Sequence, residues 1–305
     1  MILLYHLIFP DSTPKDTWNA GLVLRLSDFK RQILWLKNRF EFLSLEDYLT
    51  SSEESTLKPK KMVALTFDDG YRAVFDLVSP FLEEEQIPAT FFVNTSHLED
   101  GELYWFVYFN ALCSEKVYPS ILINDQKYSL STRSTSMQAW KTLITQARHS
   151  GNPIAFSKEF ANKYPLPDEV VNKYIGLHRD QIISIGKSRL FDVGGHTHRH
   201  PYLDLLTEEE QLSEMLINKS ILHDLTGQSV DCFSFTGGEY NRQSISAVKR
   251  AGFKAALAIQ PKSLGAESAF EIGRVDIYSP SLLKLKLKLL ALGRKLNNLK
   301  KQGSY

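Results

Sequence analysis

Two short stretches hold most of the side chains that could do chemistry. In "LTFDDGY", Asp68 and Asp69 stand side by side after an apolar run and directly before Gly70. Adjacent side chains on a strand point to opposite faces, so both carboxylates can enter one cleft only if the strand stops at Phe67 and the chain turns. A solvated strand-to-helix turn with an Asp cap is the plain alternative. In "GGHTHRHPYL", three of the chain's eight histidines, His196, His198 and His200, alternate behind two glycines. On a strand all three would share a face. On a helical turn His196 and His200 share one at i, i+4, and His198 points away. Gly194, Gly195 and Pro201 favour the turn.

One Asp with two His makes a three-ligand set with open positions, which suits a catalytic divalent cation holding water. Such a site needs a further free base. The acidic doublet can supply both parts, one carboxylate for the ion and its neighbour for a proton. The like charge beside that neighbour raises its pKa, and the cation opposes the rise.

Strand and helix signals alternate around these stretches. "MILLYHLI", "MVALTF", "ATFFVN", "RLFDVGGHT", "VDCFSFTGG" and "KAALAI" read as strands. "LSDFKRQILWLKNRF", "AVFDLVSPFLEEEQ" (bent or divided at Pro80), "TEEEQLSEMLINKSILHDLTG" and "RQSISAVKRAG" read as helices, the last two stopping at Gly227 and Gly252. "SSEESTLKPKK" reads as a polar loop. This alternation predicts parallel strands with helices outside and chemistry at the strands' carboxyl ends, where Asp68, Asp69, His196 and Thr236 all fall. Residues 96–186 break the rhythm and are expected to form a mostly helical insertion over the site.

The pair "LTFDDGY" and "HTHRHPYL" resembles the first two motifs of the polysaccharide deacetylase family (NodB homology, carbohydrate esterase family 4). "IPATFFV" and "FSFTGGEYN" extend the resemblance over Met1–Ile8 and Met62–Tyr278, with the insertion matching loosely. It implies a distorted (β/α)7 TIM-like barrel and metal-dependent removal of N-acetyl groups from amino sugars. Carried over position by position, it makes Asp68 the general base. Asp69, His196 and His200 become ligands of a divalent cation, with zinc the expected ion. The third motif departs: Thr236 and Gly237 stand where Pro and an aromatic are usual, so the substrate wall is expected from Thr236, Gly237, Gly238 and Tyr240. No histidine follows His223, which removes the usual late acid. Permuted members supply it from an N-terminal "YH" strand, which makes His6 the candidate proton donor, or else a structural histidine. Arg274 in "EIGRVDIY" could steady Asp68 or serve only as a structural salt bridge.

With 305 residues, 43% hydrophobic and 23% charged, the chain can bury one large domain, read as residues 1–280. The formal charge of +1 offers no electrostatic argument for nucleic acid. Charge is uneven, however: residues 281–305 hold seven basic side chains and no acidic one, leaving 29 basic against 35 acidic elsewhere. That segment spaces Leu282, Leu285, Leu289, Leu292, Leu296 and Leu299 as an amphipathic helix, expected to pack on the barrel or a partner, or to lie on an anionic membrane. Two cysteines make no disulfide framework, no stretch is long enough to span a membrane, and the N-terminus lacks signal-peptide features. The expectation is a cytoplasmic protein, peripheral to the membrane's inner face if anything. The substrate expected is an N-acylated amino-sugar glycan or its lipid- or nucleotide-linked precursor. A catalytically inactive carbohydrate binder is the rival reading.

Overall fold

Runs rich in Val, Leu, Ile and Phe with both faces buried become parallel strands here, because only helix-covered sheets can use them. The computed structural model describes residues 1–13, 23–54, 62–262, 264 and 268–291. Its strands, in chain order, are β1 (Ile2–Tyr5), β2 (Leu7–Phe9), β3 (Val23–Arg25), β4 (Glu41–Leu43), β5 (Met62–Phe67), β6 (Ala89–Val93), β7 (Ser120–Ile123) and β8 (Gln126–Ser129). After these come β9 (Phe191–Gly195), β10 (Cys232–Ser234), β11 (Ala255–Ala258), β12 (Ile272–Gly273) and β13 (Val275–Asp276).

The main sheet runs β12-β11-β10-β9-β6-β5-β1-β13, with every pairing parallel and β4 beside the start of β5. Its two ends are one piece of chain. Ile272 pairs with Leu257 of β11 and Val275 with Leu3 of β1, so the segment 272–276 nearly closes the sheet into a barrel of seven strand positions. Arg274 sits at that seam, its N–H donating to the Ala258 carbonyl.

Strand periodicity sorts the side chains. Leu65 and Phe67 face outward and pack with Phe29, Val78 and Phe81 of the covering helices. Ala64 faces inward with Ile2, Phe92 and Leu257, and Leu45 of the helix Leu45–Glu54 joins that inner cluster. This helix also takes in the first residues of the expected polar loop, whose remainder, 55–61, lies outside the described residues.

The strand expected in "MILLYHLI" is broken at His6. β1 stays in the barrel, while β2 leaves it to pair with β3. The helix Arg72–Glu84 runs through Pro80 undivided, with the Ser79 hydroxyl donating to the nearby Phe75 carbonyl. The insertion is helical except for an unforeseen hairpin, β7–β8, turned by Asn124 and Asp125, both at positive φ. Asn and Asp tolerate that conformation, and "INDQ" was its sequence signal. The insertion has its own core, with Trp105, Phe109, Leu112, Ile121 and Leu143 buried together. Cys113 and Cys232 are both free thiols.

Candidate metal centre and active site

The strand ends at Phe67, and the turn that follows does what the acidic doublet requires. Asp69 and Gly70 both take positive φ, 70° and 59°, which swings Asp69 toward the same cleft as Asp68. Gly70 has no substitute there: a Cβ would stand 2.9 Å from Val93 Cγ1. Both carboxylates are buried.

Past β9 the histidine loop turns as well, with positive φ at Thr197 (63°) and His200 (57°). The Thr197 hydroxyl accepts from the His200 N–H at 3.0 Å, closing the turn. Asn94, just past β6, donates to the His196 carbonyl, and the Asn218 side chain accepts from the His196 N–H at 3.1 Å. Two buried amides therefore hold the loop's backbone from two neighbouring elements. His196 and His200 come together with Asp69, their Nε2 atoms 3.3 and 3.4 Å from its Oδ1. His198 points away, its Nδ1 3.0 Å from the Thr95 hydroxyl.

These three residues fit a divalent cation. One ligand atom from each lies within 4.8 Å of the others, and all three are buried. His196 Nδ1 lies 2.7 Å from the Ser234 carbonyl, which can only accept, so the proton is on Nδ1 and the Nε2 lone pair faces the cluster. His200 likewise turns its Nε2 toward the Asp69 carboxylate, so each imidazole aims one ring nitrogen at the same oxygen. Mixed carboxylate and imidazole donors suit zinc. Burial opposes charge on Asp69, but the two imidazoles beside it outweigh that and hold its pKa well below the usual value. Tyr71, close by along the chain, is pushed well up by burial and by the nearby Asp69 carboxylate, so its hydroxyl keeps its proton.

Asp68 is held apart from this cluster. Arg274 grips it with two parallel bonds, Nη1 to Oδ1 and Nη2 to Oδ2, each 2.7 Å, and the arginine side chain is 0% exposed. Ser234 completes the group: its hydroxyl lies 3.0 Å from Asp68 Oδ2 and 2.7 Å from Arg274 Nη2. Burial pushes the Asp68 pKa up, and the Arg274 and His196 charges bring it below its ordinary value. His6 stands partly exposed between β1 and β2, close enough to act electrostatically on both aspartates.

The third-motif residues divide. Thr236 donates to the Pro201 carbonyl at 2.8 Å, tying the Thr236–Gly238 turn to the histidine loop. Gly237 and Gly238 take positive φ, and a Cβ on Gly237 would come within 3.9 Å of the Tyr202 ring. Tyr240 is buried against Phe235 at 4.3 Å between ring centroids, and its hydroxyl is taken by Glu271 and the Lys262 N–H.

Sequence reasoning passed over Ser234, Asn94 and Asn218, and the insertion's Trp105 and Phe106. The Trp105 indole donates to the His200 carbonyl at 2.8 Å, and the Phe106 ring lies 4.3 Å from the His200 ring. Ser234 had a signal, since it stands two before Thr236 at the carboxyl end of the run "VDCFSFTGG". Trp105 and Phe106 had none.

The polysaccharide deacetylase family model matches residues 56–155 and 169–256, more than half of the chain. A poly-β-1,6-N-acetyl-D-glucosamine N-deacetylase from Staphylococcus epidermidis is 38% identical over 72 residues, 23% of this chain and 25% of that protein. Its Staphylococcus aureus counterpart is 36% identical over 96 residues, 31% of this chain and 32% of that protein. The alignment thus spans about a quarter to a third of these relatives' length. Among solved structures, the Streptococcus pyogenes deacetylase PplD in complex with acetate superposes with a TM-score of 0.61 at 20% identity, over 93% of this chain and 96% of that one. IcaB from Ammonifex degensii gives 0.58 at 18% identity, over 93% and 94%. At such identities these two show the shared barrel. With the family model matched over more than half of the chain and the barrel shared, the chain belongs to the polysaccharide deacetylase family.

Proposed function

We propose that the protein is a metal-dependent hydrolase that removes the N-acetyl group from an amino sugar within a glycan. The observation that carries this reading is the division of labour between two adjacent aspartates, Asp69 among the histidines and Asp68 locked to Arg274. A carbohydrate binder needs a metal ligand no more than it needs a spare buried carboxylate beside it.

Asp69, His196 and His200 would hold the cation. When bound, it would supply Lewis-acid polarisation of the amide carbonyl and of water. Asp68 accepts the proton of the attacking water. Arg274 and Ser234 aim its two oxygens and keep it charged until then. His6 hands a proton to the departing amine, which cannot leave as an anion. The Thr236–Gly238 turn, exposing main chain without bulky side chains beside Tyr202, forms the wall against which the acyl group rests.

The curated relatives make poly-β-1,6-N-acetyl-D-glucosamine the first substrate to test. Acetate release should be measured on that polymer, other N-acetylated hexosamine glycans and lipid-linked N-acetyl sugars, with zinc and with chelator. Release that needs the cation, and falls by roughly 10²–10⁴ in Asp68→Asn while the metal stays bound, supports the reading. Loss of metal from Asp68→Asn would mean that the two aspartates have exchanged roles. Metal-independent binding of glycan without turnover would favour the inactive binder.

A further inference from the structure

The helix at residues 282–291 carries two apolar stripes. Leu285 is buried, and Leu282 and Leu289 pack against the barrel core. This is the stripe marked by the periodicity of the sequence, and its described part is taken by the barrel and is not free for a lipid surface. Leu292, Leu296 and Leu299 lie outside the described residues. A second stripe, Leu283, Leu287 and Leu290, turns outward, 64%, 57% and 60% exposed. These are the three most exposed large hydrophobic side chains among the described residues, all on one short helix. At about 100° per residue they fall within an arc of roughly 60°, well away from the buried stripe.

Lysines border the arc. Lys286 follows on one edge, its ammonium 5.3 Å from the centre of the Trp35 ring on the helix Leu26–Lys37, and Lys284 follows on the other; Lys288, further round, is ion-paired with Asp276. The stretch of sequence that holds this helix is basic: residues 281–305 hold seven basic side chains and no acidic one, while acidic residues outnumber basic ones elsewhere.

We propose that this face docks the protein on an anionic lipid surface. The three leucines enter the boundary between headgroups and acyl chains, and Lys284 and Lys286 at its edges extend to the headgroup phosphates. Charge complementarity selects this occupant. A second copy meeting the same face across a two-fold axis would bring the lysine borders together, a repulsion that an anionic surface turns into attraction. Among the described residues no helix is long and apolar enough to cross a membrane, and the contact proposed is a peripheral one. The inference concerns side chains outside the cleft and does not depend on the deacetylase reading.

The test is sedimentation of the full chain with vesicles of phosphatidylcholine alone or containing about 30% phosphatidylglycerol, over a range of salt concentrations. The protein should pellet with the anionic vesicles, less so as salt rises. The variant L283S/L287S/L290S should bind roughly tenfold more weakly or worse, with its thermal unfolding unchanged because the leucines are already exposed. No preference for anionic vesicles, or wild-type binding by the triple variant, overturns the proposal. So does a concentration-dependent dimer that the triple variant abolishes without any vesicle binding, which would assign the stripe to a second copy.

Discussion

Arg274→Met removes a guanidinium that is 0% exposed and leaves Asp68 with a single hydroxyl partner, Ser234. Two bonds of 2.7 Å to the carboxylate and a third to Ser234 disappear together. With the charge centres about 4 Å apart and an effective dielectric constant of about 20, the lost attraction is about 4 kcal/mol. That matches the roughly 3–5 kcal/mol typical of breaking a buried pair from one side. The residue also sits where the barrel closes, so the damage falls on a seam shared by β11 and β1 through β12 and β13. In a chain of this size, such a loss should lower Tm by on the order of 5–10 °C. The decisive measurement is a cycle with Asp68→Asn and the double variant, followed by urea unfolding of metal-saturated protein. Removing both charges leaves none uncompensated, so the double variant should regain most of the stability lost by Arg274→Met, with a coupling of several kcal/mol. Neither variant should recover activity, since the base is either missing or unsupported. Additive losses in the cycle, or a cost below about 1 kcal/mol for Arg274→Met, would refute the reasoning, because a buried bidentate pair cannot behave so.

Protein purified without chelator should carry about one divalent ion per chain, as a mononuclear site requires, and a His196→Ala, His200→Ala double variant should carry little. Undiminished metal content in that variant would remove the assignment of Asp69, His196 and His200. His6→Ala should slow amide cleavage by on the order of 10²-fold, and the loss should shrink for a substrate whose amine leaves easily. Full activity in His6→Ala would give the acid's role to another residue. Burial pushes the thiols of Cys113 and Cys232 up to about 12, so at pH 8 neither should be alkylated by iodoacetamide until the protein unfolds. Rapid labelling of the native chain at either position would show that the thiol there ionises near its ordinary range.

The insertion contributes to the site more than a lid would. Trp105 and Phe106 open one of its helices, and together they hold the His200 carbonyl and pack on its ring. One candidate ligand is thus oriented from outside the barrel. The other, His196, is oriented from within it by Ser234.

Local sequence alone determined a good deal here. Apolar runs ending at Asp68 and at His196, each followed by residues that break a strand, announced where β5 and β9 stop and which side chains stand at their carboxyl ends. The spacing of His196 and His200 separated them from His198 as expected, but Gly194 and Gly195 remain in β9. The loop turns through left-handed Thr197 and His200 instead of a helical turn, its backbone held by Asn94 and Asn218 from neighbouring elements. Gly227, as the left-handed residue closing the helix Glu208–Thr226, was legible because a helix stop is a local matter. Partnership across the chain was not. The sequence could offer Arg274 as a steadying residue or as an ordinary salt bridge. Only the closure of the barrel brings residue 274 against residue 68, with Ser234 between them. The leucines of the last helix show the same limit: periodicity marked the stripe that packs on the barrel, while the outward stripe of Leu283, Leu287 and Leu290 emerged only once the buried side was known. Long-range contacts depend on how seven strand positions close into one ring, and no window of local sequence contains that information.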